Sequence, residues 1–151
     1  MFHIVLVNPE IPQNTGSIGR LCVSTDTRLH LVHPLGFDTS DAAVRRAGLD
    51  YWERLAPTHH RDWAAFLEAN PDLRLWFFTT KGRRRHTEVA WKDGDALVFG
   101  RETRGLDPGI LEAHPDRLVT IPMRGEFHRS LNLAQAAAIG LYEALRQTEG
   151  W

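Results

Sequence analysis

Five short apolar runs, each bounded by polar turns, leave few folds open to this chain. They cover residues 2–7, 29–32, 73–79, 96–99 and 118–121. The runs are mostly continuous rather than alternating, and are rich in Val, Leu, Ile and Phe. A strand with one wet face alternates apolar and polar residues, whereas a strand covered on both faces does not. Between the runs the spacing predicts helices over 15–25, 40–47, 61–69, 107–113 and 131–147. Ser40 and Asp41 are start signals for the second, and Asn70-Pro71 ends the third. In the last, Leu131, Ala134, Ala138, Leu141, Tyr142 and Leu145 follow helical spacing, and Ser130 offers an N-cap. Strands alternating with helices imply an α/β fold with a parallel sheet. No repeat, low-complexity tract or linker interrupts the 151 residues, so one domain over 1–151 is expected.

Composition narrows the function classes. The chain is 42% hydrophobic and 25% charged, which is ordinary globular usage. No apolar run reaches the roughly 18–20 residues that span a bilayer, and no signal peptide is read at the start. A membrane partner is therefore not expected. The single cysteine, Cys22, excludes an internal disulfide and argues against a cysteine-based zinc site, so no metal is expected. A cytoplasmic location fits that cysteine usage. Cys22 falls on the apolar face of the first helix and reads as a buried structural residue. The net charge of −1 is not the footprint of a strongly basic nucleic-acid binder. Positive charge is local instead, in Lys81, Arg83, Arg84, Arg85 and His86, and again in Arg124, His128 and Arg129.

In open α/β sheets, ligands bind beyond the carboxyl ends of the strands. The loops there are 8–19, 79–85, 100–106 and 122–130. The first, "NPEIPQNTGSIG", lacks the G-x-G-x-x-G fingerprint, and the second strand ends in Val32-His33-Pro34 without an acid for a ribose. A Rossmann oxidoreductase is thereby disfavoured. No G-x-x-x-x-G-K-[ST] loop is present, and Glu10 alone does not make a receiver's acidic pair. In "FGRETRGL", Gly100 ends a strand where a ligand would approach the backbone, and Glu102 and Arg104 follow. In "IPMRGEFHRSLNLAQAAAIGLYEA", a polar loop closes onto a helix start carrying Ser130 and Asn132.

Taken in order, "PEIPQNTGSIGRLC", "FGRETRGL" and "IPMRGEFHRSLNLAQAAAIGLYEA" resemble the three motifs of the SPOUT class of RNA methyltransferases. Within that class the chain is similar to the small tRNA 2′-O-methyltransferases of the TrmL type. "RRAGLDYW" at 45–52 and "FFTTKG" at 77–82 match as well, and the resemblance runs over residues 4–146.

The resemblance implies a parallel-sheet SPOUT fold with a C-terminal trefoil knot. It implies a homodimer with the site near the interface, and Tyr142 matches a helix tyrosine there, although a core position is the other reading. S-adenosylmethionine, leaving as S-adenosylhomocysteine, would lie against Phe78, Gly100, Ile121, Ser130 and Leu131. Arg20 matches the catalytic arginine of the first motif. Asn14, Glu102 and Asn132 match residues on the substrate side. The implied reaction is methylation of the ribose 2′-hydroxyl at the wobble nucleotide, position 34, of a tRNA anticodon loop, a cytidine or modified uridine. A SPOUT enzyme acting at another tRNA position or on ribosomal RNA is the alternative. Arg101 stands where relatives of this branch commonly carry proline or a small residue.

Overall fold

A computed structural model describes residues 1–39, 52–127 and 129–151. Seven strands form one sheet: β1 (His3–Val7), β2 (Arg28–Val32), β3 (Thr58–His60), β4 (Leu75–Phe78), β5 (Arg84–Arg85), β6 (Ala96–Phe99) and β7 (Leu118–Thr120). Their order is β3-β2-β1-β6-β4-β7-β5, and every pairing is parallel. The helices are α1 (Pro12–Ser24), α2 (Trp52–Leu55), α3 (Trp63–Ala69), α4 (Pro108–Ala113) and α5 (Leu133–Glu149). The expected helix over 40–47 and most of the 45–52 stretch lie outside the described residues, as does His128.

The continuous apolar runs are explained by burial from both sides. Ile4, Leu6, Trp76, Phe78 and Leu97 pack under α1 and α5 with Ile18, Cys22 and Leu141. Val5, Val7, Phe77 and Val98 pack on the opposite face with Phe66, Ile110 and Leu111 from α3 and α4. Each such side chain contributes about 1.5–3 kcal/mol by leaving water. Cys22 is fully buried, and burial pushes its thiol up to about 12, so it stays protonated.

All five expected strands form. Two more, β3 and β5, carry no apolar run because they sit at the sheet's edges, where one side needs no cover. α1 begins at Pro12, three residues before the expected start, because proline presets the first helical φ. The N-cap of α5 is Asn132 rather than Ser130. The Asn132 side chain accepts from Ala134 N at 2.9 Å and Gln135 N at 3.2 Å. The buried face of α5 is Leu133, Ala137, Gly140, Leu141, Ala144 and Leu145, which is rotated from the expected stripe. The small residues on that face let the helix approach the sheet. A Cβ on Gly140 would stand 2.7 Å from the Phe78 ring. Tyr142 is accordingly 47% exposed, with its ring 5.9 Å from Trp151, and is not a core aromatic.

Two features of this sheet bear on behaviour. First, residues 79–83 alone join β4 to β5, yet β7 lies between those strands. The joining loop therefore straddles β7, and a Cβ on Gly82 would meet the Val119 backbone at 2.7 Å. Second, three imidazoles form a chain across β1, β2 and β3. His3 Nδ1 lies 2.9 Å from His30 Nε2, and His30 Nδ1 lies 2.9 Å from His60 Nε2. Each contact needs one shared proton, so neutral rings satisfy both. Desolvation, reinforced by the neighbouring His3, His60 and Arg28, lowers His30 to about 3. The unfolded ring titrates near its ordinary value, so stability is complete above about pH 6.5 and is lost as pH falls toward the folded value. Denaturant titrations should show about 3 kcal/mol less stability at pH 4 than at pH 7 from this chain, and His30→Phe should flatten that slope.

Candidate active site

The loops beyond the carboxyl ends of β4, β6 and β7, together with the starts of α1 and α5, enclose a cavity of about 480 Å³. Its walls include Phe78, Phe99, Leu106, Ile121, Leu133 and Ala136. Its polar rim carries Lys81, Arg101, Glu102, Arg104, Arg129 and Ser130. All eight residues expected to bind cofactor or substrate line it: Asn14, Phe78, Gly100, Glu102, Ile121, Ser130, Leu131 and Asn132. Arg20 does not. It is exposed on α1, six residues beyond Asn14, outside the cavity lining.

A polar relay ties the three motifs together. Glu102 accepts from Glu10 N at 2.8 Å, Ile11 N at 2.9 Å and Asn14 Nδ2 at 3.2 Å. Asn14 Oδ1 in turn accepts from Asn132 Nδ2 at 3.0 Å. The N-cap residue of α1, Ile11, has no side-chain cap, so the Glu102 carboxylate supplies a negative charge where the helix dipole calls for one. Glu10 returns the clamp by accepting from Thr103 N at 3.1 Å and Thr103 Oγ1 at 2.8 Å. These bonds hold the Glu10 carboxyl below the usual carboxylate range. Glu102, Asn14 and Asn132 thus spend their hydrogen bonds on one another and on backbone, and position the cavity wall.

Gly100 has a reason within its own loop. Arg101 and Gly105 exchange backbone hydrogen bonds of 3.2 and 2.8 Å, which folds 100–106 tightly back. A Cβ on Gly100 would lie 2.1 Å from the Gly105 carbonyl carbon. Gly105 has φ +69°, the left-handed region that favours glycine. Arg101 pairs with Asp107 across the same loop.

The lining fits an adenosine-type cofactor. The volume lies within the roughly 300–1,000 Å³ of small-molecule sites, and apolar walls from Phe78, Phe99, Leu106, Ile121 and Leu133 stand beside a polar and charged rim. Among the described residues, no turn or helix backbone bond engages Ser130 or Leu131, so their N–H and C=O groups are candidates to meet a ligand. Among the described residues no cluster of His, Cys, Asp or Glu is arranged to hold a metal ion, and no helix is long and apolar enough to cross a membrane.

A parallel α/β sheet with this cavity and these three loops defines the chain as a member of the SpoU rRNA methylase family, which matches residues 1–142. The tRNA (cytidine(34)-2′-O)-methyltransferase of Escherichia coli strain K12 is 51% identical over 148 residues, 97% of this chain and 94% of that protein. A solved structure described as giving structural insights into the 2-OH methylation of C/U34 on tRNA superposes with a TM-score of 0.94 at 43% identity, covering 100% of this chain and 98% of the other. The SpoU methyltransferase AviRb of Streptomyces viridochromogenes, solved with AdoMet, superposes at 0.85 with 25% identity, over 99% of this chain and 61% of that one.

Sequence reasoning missed Glu10 and Thr103 as partners of the second motif. They lie 93 residues apart, and no local pattern links them. It also missed the relay role of Asn132, which the motif resemblance placed on the substrate side.

Proposed function

We propose that this chain methylates the ribose 2′-hydroxyl of the wobble nucleotide, position 34, of tRNA, a cytidine or modified uridine, with S-adenosylmethionine as donor. The observation that carries this reading is the cavity assembled from all three motif loops, in a chain half identical to a protein of that named activity. S-adenosylmethionine, when bound, supplies a methyl carbon already activated by its sulfonium charge. Phe78, Ile121 and Leu131 would hold the adenosine against an apolar wall, with Gly100 and Ser130 backbone beside it. The Glu102–Asn14–Asn132 relay keeps those loops at the spacing an in-line transfer needs.

Arg20 would hold the phosphate beside the target ribose and the oxyanion that develops on its oxygen. A guanidinium hardly deprotonates in a protein, so the hydroxyl proton leaves through that phosphate or water rather than to Arg20. Arg20→Lys should cut kcat/KM for tRNA about tenfold and Arg20→Ala by about 10²–10³, with S-adenosylmethionine affinity unchanged in both. Near-complete activity for Arg20→Lys would remove the bidentate contact from the account.

One domain, 1–151, serves the whole reaction in this reading. The straddling of β7 by residues 79–83 supports a trefoil-knotted C-terminal segment. Exposed Ile139, Tyr142 and Trp151 on and beyond α5 support a homodimer. A cytoplasmic location goes with a tRNA substrate. The deciding experiment is transfer of labelled methyl groups to tRNA lacking the modification, followed by nucleoside mapping. A 2′-O-methyl mark at position 34 is expected. Label at another tRNA position or on ribosomal RNA would replace the substrate assignment.

A further inference from the structure

An unusual gathering of positive charge surrounds Trp76 on β4. Three guanidinium carbons stand close to its ring centroid: Arg117 at 4.8 Å, Arg74 at 5.1 Å and Arg84 at 5.5 Å. Arg74 immediately precedes β4, Arg117 immediately precedes β7 and Arg84 opens β5, and these three strands are adjacent in the sheet. Among the described residues, Arg74 is the member of the three that forms an ion pair. It donates to both Asp95 carboxylate oxygens at 2.7 Å and to the Ala90 carbonyl at 2.7 Å. Among the described residues, neither Arg84 nor Arg117 has a carboxylate within ion-pair distance.

Two buried donors in this cluster are also unsatisfied. Trp76 is 5% exposed, and among the described residues neither its Nε1–H nor Arg117 Nη1 has an acceptor. A buried donor without an acceptor costs about 1–3 kcal/mol, so the cluster is unfavourable as it stands. Cation–π contact with the indole offsets part of the repulsion between guanidiniums but supplies no counter-charge. An anion against the exposed Arg84 would supply the counter-charge.

The place of the cluster says which anion. Arg84 pairs in register with Val119, and Arg85 with Thr120. Thr120 and Ile121 line the cavity, as do Phe78, two residues along β4 from Trp76, and Lys81 at the head of the basic run. The positive surface therefore starts at the cavity rim and runs along the β5 edge. The other residues of that run are less suited. Arg85 is engaged with Glu88 at 2.8 Å, and His86 is buried.

We propose that Trp76, Arg84 and Arg117 form a second phosphate-binding site, which grips the sugar-phosphate backbone of the RNA away from the reacting ribose. This rests on the reading of the chain as an RNA methyltransferase. The site positions the RNA and takes no part in methyl transfer.

The test uses Arg84→Gln, Arg117→Gln and the double variant, each compared with wild type for tRNA binding between 50 and 200 mM salt and for methyl-transfer kinetics. Each lost phosphate contact should lower the slope of log affinity against log salt by about one. The double variant should raise KM for tRNA at least tenfold, with kcat and calorimetric S-adenosylmethionine affinity unchanged. Arg84→Lys should restore most of the salt slope, because a point charge suffices there. An unchanged KM and slope in the folded double variant would overturn the site. If Arg117→Gln fails to fold, exposed Arg84→Gln alone decides, with a slope lowered by about one expected and an unchanged slope overturning it. A wild-type chain that binds S-adenosylmethionine but neither binds nor methylates tRNA would instead overturn the RNA reading itself.

Discussion

Gly100→Ala should not give a stably folded protein. The new Cβ would stand 2.1 Å from the Gly105 carbonyl carbon and 2.2 Å from Leu106 N. Both are backbone atoms, and neither can rotate away. Gly105 is held by its paired bonds with Arg101, and Leu106 is buried at 5% exposure. Relief would require opening the 100–106 loop, which forms one wall of the cavity. The expected cost exceeds about 4 kcal/mol, the range of a severe steric or core defect. For a domain of this size that lowers Tm by more than about 10 °C. Gly109→Ala is the control. It sits in α4, its Cβ would meet nothing within 4 Å, and the change should be neutral or stabilising by about 0.5–1 kcal/mol. Calorimetric melting of both variants checks the pair, and a Gly100→Ala protein that melts within a few degrees of wild type would disprove the steric account.

Glu102→Gln should lose most methyl transfer while the protein remains folded. The amide keeps the shape of the carboxylate but turns one of its two acceptors into a donor. Glu102 Oε1 and Oε2 now meet three donors, Glu10 N, Ile11 N and Asn14 Nδ2. In the variant at least one donor faces another, and the negative charge at the head of α1 is gone. Asn14 is released first, and with it the bond to Asn132 that ties α5 to the relay. A shift of about 1 Å in the walls of such a site costs on the order of 10²-fold in rate. The expected result is a kcat lower by about that factor, a weaker S-adenosylmethionine affinity by calorimetry, and far-UV circular dichroism like wild type. If Glu102→Gln kept both rate and cofactor affinity, the relay would have no part in shaping the cavity.

Much of this architecture is written in local patterns. Residues 2–7, 73–79 and 96–99 are mostly apolar because helices cover both faces of the sheet, and with the helical stretches between them they imply a parallel arrangement. The edge strands at Thr58–His60 and Arg84–Arg85 escape such reading because their pairing depends on neighbours distant in sequence. The rotated face of α5 has a similar cause: Gly140 and Ala144 are buried for what they lack, and a hydrophobic pattern does not register absence. In the site, Asn14, Glu102 and Asn132 stand out by motif, but their mutual bonds span 88 and 118 residues. Residue type pointed to substrate, whereas geometry makes them the frame around it.

The loop of residues 79–83 over β7 has a consequence for the order of synthesis. A ribosome delivers β4 and β5 before the strand that must lie between them. Until residues 118–120 emerge, the sheet has a gap one strand wide, and Phe78 and Lys81 face no Thr120 or Ile121. The chain from β7 onward also brings Ser130, Leu131 and Leu133 to the cavity, so a nascent chain halted just before β7 has six strands delivered and no complete binding site.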